Sequence, residues 1–131
     1  MVAIPGQIRE FSELSHQVIR CAIEVHRELG PGLLESTYRD CLIRELELAG
    51  IACQAELALP VKYKGLLIDC GYRVDLVVEN DILLELKAVA RLAPIHEAQI
   101  LTYMRLSGVR QGFLINFNVK RRKDGLKSFV L

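Results

Sequence analysis

The sequence predicts an α/β fold in the order α-α-β-β-β-α-β-β, and three observations carry that prediction. Apolar residues recur at helical spacing through residues 14–46. From Ile51 the apolar period falls to two. A single further helical segment, opening at Pro94, then separates two groups of strongly β-prone residues.

In the first helix Leu14, Val18, Cys21, Val25 and Leu29 form one stripe, widened by Ile19 and Ile23. Ser12 is the expected N-cap, and Gly30-Pro31-Gly32 ends the helix. The second helix turns Leu34, Tyr38, Cys41, Leu42 and Leu46 inward and stops at Gly50. Leu57, Leu59, Val61 and Tyr63 then alternate as a strand that Pro60 confines to a sheet edge, and Lys64-Gly65 is a turn. Residues 66–78 and 82–89 read as two long strands joined at Glu79-Asn80-Asp81. Pro94 opens the third helix, which runs from Ile95 to Leu106 and closes at Ser107-Gly108. Gly112 to Val119 and Leu126 to Leu131 supply the last two strands. No linker, repeat or low-complexity stretch interrupts the chain, so residues 1–131 read as one domain.

Composition narrows the class. A hydrophobic share of 51% beside a charged share of 25% belongs to a soluble globular protein rather than a disordered one. No apolar run reaches the ~18 residues of a membrane span, and the N-terminal MVAIPGQIREF is too polar for a signal peptide. The expected compartment is the cytoplasm. Cys21, Cys41, Cys53 and Cys70 are widely spaced without a CxxC pair, which points to buried free thiols rather than zinc or disulfides. Net charge is +1, yet residues 1–90 carry 9 Lys and Arg against 14 Asp and Glu, while residues 91–131 carry 8 against 2. A polyanion drawn to the basic third, with its Lys120-Arg121-Arg122-Lys123 run, would meet acids contributed from upstream. A solvated basic turn accounts for the same run equally well.

Alternation brings the acids together. In the first long strand Tyr72, Val74, Leu76 and Val78 form an apolar row opposite Arg73, Asp75, Val77 and Glu79. In the second, Ile82, Leu84, Leu86 and Ala88 oppose Leu83, Glu85, Lys87 and Val89. Pairing the apolar rows puts Asp75, Glu85 and Lys87 on one face, and a three-residue loop sets Asp75 opposite Glu85. Two carboxylates at that separation suit a hard divalent cation, and an ammonium beside them suits phosphodiester hydrolysis. A hairpin with one solvated polar face is the alternative. Against it stand an Asp in mid-strand and the apolar Val77, Leu83 and Val89 on the same face.

Gly32-Leu33-Leu34-Glu35-Ser36-Thr37-Tyr38 spells G-x-x-E-x-x-Y. With Ala22 to Gly32, Gly71-Tyr72-Arg73-Val74-Asp75, Glu85-Leu86-Lys87-Ala88-Val89, His96-Glu97-Ala98-Gln99 and Leu114 to Val119, it makes the chain resemble the GxxExxY proteins from about Leu14 onward. That family is placed in the PD-(D/E)xK nuclease-like superfamily. The resemblance implies a restriction-endonuclease-like core, with a central mixed sheet flanked by helices. It also implies Asp75, Glu85, the Leu86 carbonyl and Glu35 as ligands of Mg²⁺ or Mn²⁺, with Lys87 as the catalytic lysine. Val74 stands where the superfamily name has proline.

Gln99 and Tyr103 match the Q-x-x-x-Y helix of the exonuclease-like branch and share a face with His96. Together with Arg73, which shares the expected face of Asp75, they are expected to position a phosphate. Tyr38 reads as core, and His16 and His26 as surface or helix-packing residues. The function so implied is metal-dependent cleavage of DNA or RNA. Its alternative is a catalytically inactive module that binds nucleic acid or a protein partner. So short a chain shows no obvious separate DNA-reading element, which leaves room for a homodimer or a partner.

Overall fold

A computed structural model describes residues 12–131; the N-terminal stretch whose polarity argued against a signal peptide lies outside them. Helices α1 (Glu13–Leu29), α2 (Glu35–Leu48) and α3 (Pro94–Ser107) occupy the expected segments. Ser12 caps α1, its Oγ accepting the Ser15 N–H at 3.1 Å. Gly30 ends it by donating its N–H to the His26 carbonyl at 2.8 Å. Gly108 closes α3 at φ 77°, a left-handed conformation that glycine adopts without strain.

Strands are more numerous than the alternation predicts. They are β1 (Cys53–Ala58), β2 (Val61–Tyr63), β3 (Leu66–Ile68), β4 (Arg73–Val78), β5 (Ile82–Lys87), β6 (Gln111–Asn116) and β7 (Leu126–Val130). Pro60 divides the expected edge strand into β1 and β2, and residues 69–72 divide the expected strand 66–78 into β3 and β4. β2 and β3 form a separate two-stranded ribbon about the Lys64-Gly65 turn. The main sheet is mixed, in the order β1-β4-β5-β6-β7, with β1 at an edge as Pro60 suggested. Only β5 and β6 run parallel, with α3 as their crossover.

Both faces of this sheet are covered. Val18, Cys21 and Val25 of α1 and Tyr38, Leu42 and Leu46 of α2 pack on Leu76, Val78, Leu84, Phe113 and Phe117. On the other face Ile100, Tyr103 and Met104 of α3 pack on Val74, Val77, Leu83 and Leu114. The apolar row predicted for β4 is therefore broken, because Leu76 and Val78 belong to one core and Val74 to the other. Glu56, opposite Asp75 on β1, has φ 52°, and β1 and β4 change facing together at that point.

Some individual expectations also fail. Leu34 is the exposed N-cap of α2 rather than a core residue, and Ile23 and Leu29 lie at the rim of their stripe. All four cysteines are free, but of the four only Cys21 is buried; Cys41 and Cys53 are half-buried and Cys70 is exposed. Among the described residues no helix is long and apolar enough to cross a membrane.

Gly125 holds the basic segment against the end of β6. A methyl group there would overlap the Asn116 carbonyl oxygen and crowd Val119. Because the obstacle is backbone, Gly125→Ala is expected to cost about 2–3 kcal/mol, a fall in melting temperature of roughly 5–15 °C by calorimetry.

Candidate active site

The change of facing at Asp75 opens a gap in the sheet. The β4–β5 ladder runs from Val78–Ile82 to Leu76–Leu84 and stops there. Beyond it the strands are joined through side chains. The Asp75 N–H donates to Glu85 Oε1 at 3.1 Å, and the Leu86 N–H donates to Asp75 Oδ2 at 2.8 Å. Each carboxylate accepts an amide that a ladder carbonyl would otherwise take. An extended residue sends its N–H and C=O to the same edge, so the Leu86 carbonyl opens into this gap as well.

Two carboxylates in so dry a place oppose each other's ionisation. Glu85 is 3% exposed, and burial first, then the Asp75 charge, push its carboxyl up to about 8. Burial also raises Asp75, against the pull of the Leu86 N–H and the Lys87 ammonium. Glu35 adds a further negative potential at both. The gap is short of positive charge.

Lys87 follows two residues after Glu85, and its Nζ donates to Gln99 Oε1 at 3.0 Å. Gln99 Nε2 in turn donates to the Tyr103 hydroxyl oxygen at 3.1 Å, which leaves the Tyr103 O–H to donate elsewhere. Burial raises the Tyr103 phenol, so it keeps that proton at neutral pH. His96 spends Nδ1 on the Ala93 N–H at 3.0 Å, capping α3 from its third position, and also lines the groove beside Lys87.

Glu35 occupies the exposed first turn of α2. Among the described residues no three His, Cys, Asp or Glu side chains converge on one point, so Asp75 and Glu85 form a pair rather than part of a triad. Arg73 is not brought in. It is exposed and donates to the Tyr72 carbonyl, because the change of facing at Asp75 removes residue 73 from the face of residue 75. The guanidinium whose charge reaches Asp75 is that of Arg39, one turn beyond Glu35 and paired with Glu56 at 3.1 Å.

Among the described residues, two of the cavities lie beside the sheet. One of about 790 Å³ lies between α1 and the segment after β6 and contains neither acid of the pair. The other, about 480 Å³, lies along α3; it too is lined by neither acid, but it holds Lys87, Gln99 and Tyr103. The second adjoins the acid pair through Lys87, two residues beyond Glu85 on β5.

Residues 12–129 match the family model described as the PD-(D/E)XK nuclease superfamily. The chain belongs to this superfamily. The chain finds no match among the curated proteins or the solved structures. The matched stretch runs from the cap of α1 into β7 and includes Glu35, Asp75, Glu85, Lys87, Gln99 and Tyr103. The mixed five-stranded sheet with helices on both faces is the restriction-endonuclease-like arrangement of PD-(D/E)XK proteins.

Other residues brace the elements around the candidate site through partners that the sequence does not assign. Tyr38 is indeed core, but its hydroxyl also donates to the Gly30 carbonyl at 2.6 Å and accepts the Leu33 N–H at 3.1 Å. Its ring stacks on Phe117 at 4.6 Å. It thereby pins the α1–α2 connection and sets where Glu35 begins α2. Asn116 binds both the N–H and the C=O of Val89, at 3.1 and 2.9 Å, and so fixes the chain leaving Lys87. An amide is unusual inside a strand, and the sequence singles out Asn116 on that ground but assigns it no partner. His26, a packing residue, holds the Val119 carbonyl at 2.6 Å.

Proposed function

We propose that this PD-(D/E)XK chain, a GxxExxY protein within the superfamily, hydrolyses phosphodiester bonds of nucleic acid with the aid of Mg²⁺ or Mn²⁺. The observation that carries the reading is the cross-braced pair Asp75 and Glu85 at the break in the β4–β5 ladder, beside Lys87. Hard oxygen donors, two carboxylates and the Leu86 carbonyl, meet in one gap, and the mutual repulsion of the acids is relieved by a dication. The donor set therefore fits such an ion. Glu35 stands farther out and acts on it by charge or through water.

When bound, the ion acidifies a water and draws negative charge from the scissile phosphate. The protein's own part is positioning. Asp75 and Glu85 are held by main-chain amides, so their oxygens need little reorganisation during the reaction. Lys87 spends one donor on Gln99 and has two left for a water and a phosphate oxygen. Tyr103, already an acceptor from Gln99, donates its O–H to the same phosphate. Removing that donor in Tyr103→Phe is expected to slow cleavage about tenfold or more, with the melting temperature little changed. Single-turnover rates on a labelled oligonucleotide would measure it.

The test is a cleavage assay on single- and double-stranded DNA and RNA with Mn²⁺, beside a calorimetric titration of the metal. Wild type should bind metal and cleave, and Asp75→Ala should do neither. Cleavage unchanged in Asp75→Ala and Lys87→Ala would remove the mechanism. Nucleic-acid binding without metal-dependent cleavage would assign the inactive module instead.

A further inference from the structure

The groove beside Lys87 has a second wall that the polar cluster does not use. Val61 of β2, Tyr72 ahead of β4, and Ile95 and Leu106 of α3 line it. Tyr72 leaves 44% of its surface in water although its ring stands 6.2 Å from that of Tyr103, with the planes 49° apart. Ile95 is 69% exposed. Among the described residues that line the groove none is acidic, and Lys87 is the one permanent charge.

Such a groove suits a ligand that is flat and apolar at one end and anionic at the other. The cation and the Tyr103 O–H receive the anion, and the exposed aromatic wall receives the flat part. A paired base inside a duplex does not satisfy the second requirement, because its neighbours already cover its faces. An unpaired base does. We propose that Tyr72 stacks an unpaired nucleobase next to the phosphate held by Lys87 and Tyr103, so that the groove selects single-stranded nucleic acid or frayed ends. This inference rests on the nucleic-acid reading of the same site.

The experiment measures fluorescence anisotropy of a labelled oligonucleotide of about 12 nucleotides, single-stranded or in a duplex, with the full chain and a chelator present. Binding is thereby separated from cleavage. Wild type should favour the single strand by about tenfold, and Tyr72→Ala should weaken its binding by about 5- to 100-fold. Tyr72→Leu, which keeps apolar bulk without a π-face, should bind as weakly, and Tyr72→Phe should restore wild-type affinity. An oligonucleotide lacking its bases should not distinguish wild type from Tyr72→Ala.

Equal affinity of wild type and Tyr72→Ala, preference for the duplex, or no binding at all would overturn the proposal. So would a changed sedimentation coefficient in Tyr72→Ala with oligonucleotide affinity unaltered, which would assign this face to contact between copies. Tyr72-dependent binding without cleavage in Mn²⁺ would remove the hydrolytic function and leave base stacking intact. Cleavage indifferent to Tyr72 would do the reverse.

Discussion

Lys87→Ala is expected to lower metal-dependent cleavage of a labelled oligonucleotide by about 10²–10³-fold, with a melting temperature within a few degrees of wild type. Lys87 is half-buried at the end of β5, outside both hydrophobic cores, and its ammonium donates to Gln99. Its removal therefore costs little packing. What is lost is an ammonium fixed at the edge of a gap that already holds two acids, the group that in the proposed mechanism balances charge as it grows on the phosphate. Lys87→Arg should recover little, because a planar guanidinium on a longer stem cannot keep the Gln99 bond and aim a donor at the same water. Single-turnover rates measured at saturating Mn²⁺ separate this loss from weaker metal binding. A rate in Lys87→Ala equal to wild type would exclude the lysine from the chemistry.

The second large effect is on stability. In the folded chain Glu85 keeps its proton up to about pH 8, whereas in the unfolded chain it loses it near 4.5. Between those values the folded state holds a proton that the unfolded state has released. Stability without metal therefore falls as pH rises through that window, by up to about 1.4 kcal/mol per pH unit, and levels off above it. Glu85→Gln has the same shape and no proton to lose. Its melting temperature should match wild type near pH 5 and exceed it by roughly 5–15 °C at pH 8.5. Millimolar Mn²⁺ should raise wild type at pH 8.5 and leave Glu85→Gln nearly unmoved, because the ion replaces the missing proton and stabilises only the state that binds it. Parallel curves for the two proteins from pH 5 to 8.5 would show that Glu85 is ionised throughout.

The site could be read from the sequence only as far as local periodicity reaches. Asp75, Glu85 and Lys87 could be gathered because the turn at 79–81 fixes a register in which 75 faces 85, and the ladder up to Leu76–Leu84 obeys that register. Arg73 went astray for the same reason. Its placement assumed that alternation persists through Asp75, whereas Glu56, on another strand, takes a left-handed φ and turns β1 and β4 together. Nothing in residues 72–78 announces that partner. Tyr38 shows the same limit. Its helical spacing marks it as buried, but the Gly30 carbonyl that it binds belongs to the preceding loop.

Helix ends and hairpin turns depend on residues within a few positions of one another. The Ser12 cap, the Gly30 and Gly108 stops and the Glu79-Asn80-Asp81 loop were therefore written in the chain itself, and with them the α/β order and the pairing of the acids. The gap between β4 and β5, the burial that raises Glu85, the bond from Lys87 to Gln99 and the exposed face of Tyr72 depend on segments far apart in the chain. Desolvation and charge act through space rather than along the backbone, so these features came into being only when the sheet closed between its helices.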